Sequence, residues 1–132
     1  MNKFGGMIMK QTVHTDKAPQ AIGPYSQAIV ANGMVYASGQ LGMNAEGVLQ
    51  GETAAQQAEQ AIKNVMAILE AAGSSIDNVV KTTVFLADIN DFVPVNEVYG
   101  KYFTKPYPAR SAVQVAALPK AARVEIEVVA TV

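Results

Sequence analysis

Few residues in this chain are able to do chemistry, and most of those are neutral. Cysteine is absent and histidine occurs once, as His14. The first fact removes thiolate nucleophiles, disulfides and cysteine metal sites, and fits a reducing compartment. The second confines any Ser-His-Asp triad to His14 and denies one chain a histidine pair for zinc. His14 itself reads as an ordinary polar residue at a strand edge. Arg110 is the cation with a distinctive setting, because it follows Pro106-Tyr107-Pro108 and precedes a predicted strand. A guanidinium there offers a planar fork to a carboxylate, although a structural salt bridge is the commoner use of such a residue. Glu125 and Glu127 share one face of the last predicted strand. A carboxyl group in a semi-apolar cleft is a general acid or base, and residue type does not separate the two glutamates. Tyr25, Ser38 and Asn96 supply neutral hydrogen-bonding groups, and Gly39 permits close approach to the backbone. No phosphate-binding or dinucleotide glycine pattern follows any predicted strand.

These groups have to be held by elements that the sequence also announces. Asn32-Gly33 lies between the apolar runs 27–31 and 34–38, the pattern of a tight β-hairpin. Gly23-Pro24 before it imposes an extended or turning backbone, and Gly39, Gly42 and Gly47 after it suggest an irregular connection. Thr53 and Gln56 have capping-box spacing, and Ala58, Ala61, Ile62, Val65, Leu69 and Ala72 then recur on one helical face, with Gly73 placed to end the helix. A strand is predicted over 79–86. A second helix follows, carrying Phe92, Val95, Tyr99 and Tyr102 at helical spacing, until Pro106-Tyr107-Pro108 breaks it. Strands are predicted over 111–116 and 123–132. The order of hairpin, helix, strand, helix and two strands predicts an α+β fold, a mixed sheet with two helices packed on one face. The other face would carry Glu125 and Glu127 beside Val129, a mixture that suits an oligomer surface.

With 132 residues, the chain reads as one domain over 1–132, with 1–10 expected as a disordered extension and Met7 or Met9 as an alternative start. Half of the residues are apolar, and 10 basic against 11 acidic residues leave a net charge of −1 without a basic stripe. Nucleic acid is therefore a disfavoured partner. No stretch approaches the roughly 20 apolar residues of a membrane span, and the early apolar run is too short for a signal-peptide core. A cytoplasmic protein is expected.

Taken in order, the segments resemble the RidA/YjgF family of enamine and imine deaminases. The resemblance is carried by Ala21-Ile22-Gly23-Pro24-Tyr25-Ser26-Gln27, Ser38-Gly39-Gln40, Asn64-Val65, Glu70-Ala71-Ala72-Gly73 and Val80-Lys81-Thr82-Thr83-Val84-Phe85. It continues through Asp91-Phe92, Val95-Asn96, Pro108-Ala109-Arg110-Ser111, Leu118-Pro119-Lys120 and Val124-Glu125-Ile126-Glu127. It implies a chorismate-mutase-like fold assembled as a homotrimer with sites between subunits. It also implies hydrolysis of 2-aminoacrylate, 2-iminopropanoate and 2-iminobutanoate to 2-oxo acids and ammonia, with no cofactor and no metal. Arg110 would hold the substrate carboxylate and Glu125 would govern the attacking water, which breaks the tie with Glu127. Tyr25, Ser38, Gly39, Asn96 and Ala112 would line the pocket. Ala112 departs from the pattern, since many members carry cysteine there. Two other readings stand beside this one: a trimeric regulator that binds a small 2-oxo acid without turnover, and an RNA-acting translation inhibitor.

Overall fold

The structure, a computed structural model, describes residues 9–132. Apart from Met9 and Lys10, which are exposed and outside any element, the expected extension lies outside the described residues. Six strands and two helices follow one another as β1 (Gln11–Val13), β2 (Ala28–Ala31), β3 (Met34–Leu41), α1 (Ala54–Ala71), β4 (Val79–Leu86), α2 (Phe92–Tyr102), β5 (Ala109–Gln114) and β6 (Val124–Thr131). The strands form one sheet in the order β1-β2-β3-β6-β4-β5, antiparallel throughout except for the parallel pair β4–β5 at one edge. The expected mixed sheet is present, and α2 is the crossover that lets β4 and β5 run in the same direction.

The first helix forms as its sequence dictates. The Gln56 amide N–H donates to Thr53 Oγ1 at 3.1 Å, and the Thr53 N–H donates to Gln56 Oε1 at 3.1 Å, which closes the capping box. At the other end Gly73 takes a φ of 83°, and the Ser74 N–H returns to the Leu69 carbonyl at 2.8 Å. Of the predicted stripe Ala58, Ala61, Ile62, Val65 and Leu69 are buried, joined by Ile68, while Ala72 caps the helix and is only partly buried.

The alternation of β6 divides the sheet into two unlike faces. Val124, Ile126, Val128 and Ala130 are buried beneath the helices, joined by Thr82, Val84 and Leu86 of β4. Glu125, Glu127, Val129 and Thr131 point the other way, where no helix of the described residues lies. Tyr36 of β3 pairs with Val129 on that open face and is 50% exposed.

Three sequence expectations change. β1, only three residues long, had not been recognised. The glycines at 39 and 42 do not open a loop after Ser38: β3 continues to Leu41 through a register shift between Ala37 and Gln40. Asn64 holds the end of that strand, its Nδ2 donating to the carbonyls of Leu41 at 3.2 Å and Met43 at 2.7 Å. Finally, β5 spans Ala109–Gln114 rather than 111–116, so Arg110 lies inside a strand and not ahead of one. Pairing with the full-length β4 fixes that register.

Candidate active site

Arg110 is the second residue of β5 and sits opposite Thr82 of β4. Because Thr82 is buried on the helix-covered face, Arg110 leaves the sheet edge toward α2. Phe92, Asn96 and Tyr99 of α2 are spaced i, i+4 and i+7 and so share the helix face that meets it. The Arg110 Nη1 donates to Asn96 Oδ1 at 2.7 Å, and the guanidinium carbon lies 4.7 Å from the Tyr99 ring centroid and 5.3 Å from that of Phe92. Aromatic faces attract a cation while leaving its N–H edges unspent. Tyr99 is itself fixed, with its hydroxyl paired to Thr82 Oγ1 at 2.8 Å and its ring stacked on Phe103 at 4.2 Å. Burial raises the Tyr99 pKa against the opposing pull of the Thr82 hydrogen bond and the Arg110 charge, so the phenol stays neutral. Arg110, Asn96, Tyr99, Gly100, Tyr107 and Pro108 line a cleft of about 410 Å³. Ala112, two residues on, is half-buried against the core on this same face.

Tyr25, Ser38, Gly39 and Glu125 belong to the other side of the molecule. Between Ala37 and Gln40, β3 advances three residues while β6 advances only from Val128 to Ile126, so Ser38 and Gly39 together oppose Glu127. Such a bulge re-aims side chains, and bulges recur beside active sites. The Ser38 Oγ donates to the Ser26 carbonyl at 2.6 Å and the Ser38 N–H donates to the Gln27 carbonyl at 2.9 Å, which ties the bulge to the segment bearing Tyr25. Gln27 is buried and bonds the carbonyls of Thr15 at 3.0 Å and Pro19 at 2.9 Å, so this segment has its own anchor. Tyr25 presents a ring that is 55% exposed. Glu125 is half-buried, whereas Glu127 is exposed. Desolvation pushes the Glu125 pKa above its ordinary value, and the negative charge of Glu127 adds to the rise. Position thus separates the two glutamates that residue type left equivalent.

The two groups do not meet within one chain. Arg110 and Val128 both pair with Thr82, and Glu125 lies three residues from Val128, an odd offset that places it on the opposite sheet face. The structure therefore brings Arg110, Asn96 and Ala112 together on one face and Ser38, Gly39 and Glu125 on the other, with Tyr25 adjacent in sequence to the Ser26 carbonyl that Ser38 binds. The sequence reading missed Phe92, Tyr99 and Thr82 as partners of Arg110. Phe92 and Tyr99 entered the sequence reading only as apolar residues at helical spacing in the second helix, and their shared spacing with Asn96 was the available signal. A further groove of about 460 Å³ between the helices includes Gln56, Gln60 and Glu59, whose carboxylate is taken by the Tyr102 hydroxyl. It gathers no comparable set of groups. His14 is exposed just after β1, its Nε2 3.0 Å from Asp16 Oδ1, in keeping with an ordinary polar role.

Comparison with known proteins follows the same lines. Residues 15–132 match the family model described as endoribonuclease L-PSP. The human 2-iminobutanoate/2-iminopropanoate deaminase is 55% identical over 93% of this chain and 90% of its own length. The crystal structure of RidA from an Antarctic Psychrobacter superimposes with a TM-score of 0.89 at 51% identity, covering 92% of this chain and 99% of that one. Escherichia coli TdcF, solved with bound serine, gives a TM-score of 0.87 at 42% identity over 92% of this chain and 98% of its own.

Proposed function

We propose, from the premise that this chain belongs to the endoribonuclease L-PSP family, that it is a cofactor-independent deaminase of short 2-imino acids, working as a homotrimer of single-domain subunits in the cytoplasm. One observation carries this reading. A guanidinium prepared for a carboxylate and a half-buried carboxyl prepared for proton transfer are each fully built, yet on opposite faces of one sheet. A second copy laid against the open face would bring the Arg110 of one subunit to the Glu125 of its neighbour. The same contact would cover Tyr36 and Val129.

In the proposed reaction Arg110 binds the carboxylate of the imino acid and fixes the C=N carbon. 2-Aminoacrylate enters as its imine tautomer, 2-iminopropanoate. Glu125 takes a proton from a water molecule as its oxygen bonds to the imine carbon, and the C=N π pair moves to nitrogen. The carbinolamine then receives that proton on nitrogen. The freed Glu125 carboxylate takes the hydroxyl proton as the C=O bond forms and the C–N bond breaks. Ammonia and the 2-oxo acid leave, and Glu125 returns its proton to solvent. The protonated imine is already electrophilic, so one positioned base and one anchor suffice for a rate gain of roughly 10²–10⁴-fold from the base. Ser38, whose hydroxyl hydrogen is spent on Ser26, keeps lone pairs to accept from a substrate N–H. Tyr25 offers its hydroxyl from the exposed rim. The raised pKa of Glu125 favours turnover over a regulator that only binds a 2-oxo acid. RNA cleavage, named in the family description, sits poorly with an acidic pair at the site and a net charge of −1.

The test generates the imine with an amino-acid oxidase and follows its loss. Wild type should accelerate hydrolysis, while Arg110→Ala and Glu125→Gln should each fail. Refolding those two variants together should restore about a quarter of wild-type activity, because random mixing in a ring pairs an intact Arg110 with an intact Glu125 at that frequency. No acceleration by wild type would sink the deaminase reading. Two inactive variants that never complement each other would sink the shared site.

A further inference from the structure

Glycine at position 39 has two possible justifications, backbone conformation or space. Conformation is not the reason, because the φ of Gly39 lies outside the left-handed region that favours glycine. Space is. A methyl group built on Gly39 would stand 2.7 Å from Glu125 Oε2, 2.9 Å from its carboxyl carbon and 3.0 Å from its Cγ. The volume that a side chain would fill is therefore occupied by the Glu125 side chain of the neighbouring strand, not left open for a ligand.

We propose that Gly39 is a positioning residue for Glu125: the bulge in β3 and the missing side chain together form a seat into which the carboxylate lies back against the sheet. The inference rests on the role given to Glu125 above. It replaces the sequence expectation that Gly39 serves close approach by the substrate. The bulge is needed because a regular β3 would advance in step with β6 and set a single residue opposite Glu127, with no widened gap beside Glu125. The seat also explains why Glu125 is half-buried on a face that no helix of the described residues covers. Without it the side chain would stand into solvent like that of Glu127. The desolvation that raises its pKa is then a consequence of where Gly39 lets it lie.

Gly39→Ala forces the carboxylate out of the seat while leaving Arg110 untouched on the far face. It should lower kcat by about 10²-fold or more, the scale of a displaced base, with KM within a few-fold of wild type. Carboxyl NMR should show the Glu125 titration midpoint falling toward the ordinary glutamate range. Stability offers a separate readout that survives poor folding of the single variant. Gly39→Ala should leave Tm in the wild-type background nearly unchanged, because the methyl meets only the flexible end of Glu125, and the strain of displacing it is offset by the carboxylate's return to water. In a Glu125→Ala background, where the space is empty, it should raise Tm by about 2–5 °C through lost unfolded-state freedom. A raised KM with unchanged kcat would return Gly39 to substrate contact, and a Tm change of equal size in both backgrounds would overturn the seat. The titration and the Tm cycle need no turnover, so a failure of the deaminase reading would appear in wild-type activity alone.

Discussion

The helix-covered face of the sheet and its open face hold one half of the candidate site each, and they prepare their halves by different means. Arg110 is oriented entirely within the subunit: Asn96 binds one nitrogen, Phe92 and Tyr99 lie under the guanidinium, and Thr82 pins Tyr99 from the strand next to Arg110 itself. Glu125 is oriented by a gap, the bulge at Ser38 and Gly39, and faces outward with no helix of the described residues over it. A cation whose charge survives any environment can be built early and left exposed. A base gains its shifted pKa as water is removed, and a covering subunit of the proposed trimer would complete what the bulge begins. The sharpest break in this comparison is to keep the cover away. Tyr36→Asp places a charge at the centre of the open face, opposite Val129 and far from the Arg110 cleft. Ultracentrifugation should show subunits in place of trimers, and imine hydrolysis should fall to background. A trimer of full activity would mean that the cover lies elsewhere.

Glu125→Gln is the next largest change. It keeps the shape of the side chain and removes the base, so kcat should fall by about 10²–10³-fold while calorimetric affinity for a 2-oxo acid stays within a few-fold. Equal losses in both quantities would tie Glu125 to binding and erase the division of labour between the faces.

The pH dependence of wild type sharpens the same contrast. In the proposed mechanism hydrolysis requires ionised Glu125, so log kcat should rise with pH to a midpoint above the ordinary 4.5. Glu127→Gln removes the smaller of the two causes of that rise and should move the midpoint down by less than about one pH unit, since Glu127 is exposed and its charge screened. Stability follows with the opposite sign. The folded state binds this proton more tightly than the unfolded chain, so ionised Glu125 is destabilising above its folded pKa, and the penalty fades as pH falls through that value toward 4.5. The Tm advantage of Glu125→Gln over wild type should therefore grow as pH rises through the window. A flat difference would remove the desolvated carboxylate.

How far the sequence reaches differs between the faces as well. Local chemistry was legible: the Thr53–Gln56 box, the Asn32-Gly33 hairpin and the stripe of α1 all form where their residues require, and the alternation of β6 correctly separated Glu125 and Glu127 from the core face. Register was not. Nothing local places β6 between β3 and β4, or sets Arg110 opposite Thr82, and those two non-local pairings decide that Arg110 and Glu125 diverge. The bulge escaped because Ser38-Gly39 has the composition of a loop, and only the partner strand shows that the ladder resumes at Gln40. Three-residue β1 is too short to carry a period. The aromatic seat of Arg110 was visible as spacing in α2 but indistinguishable there from core packing.

That seat supplies the smallest and most selective test. If Phe92 and Tyr99 serve only to fill the core, truncating Phe92 should cost stability and leave the ligand affinity of folded protein unchanged. If they hold the guanidinium, Phe92→Leu keeps most of the apolar volume yet removes one π face, and the loss should appear in carboxylate binding. A cation–π contact at an exposed site contributes about 0.5–1 kcal/mol, so the expected result is a KM raised about two- to five-fold with kcat nearly unchanged. Phe92→Tyr should restore the wild-type value, because it returns the face. Glu125 is untouched by either change, and the pH midpoint of kcat should not move. A Phe92→Leu enzyme that lost kcat instead would show that the α2 side reaches the reacting atoms, and the two faces could no longer be assigned one task each.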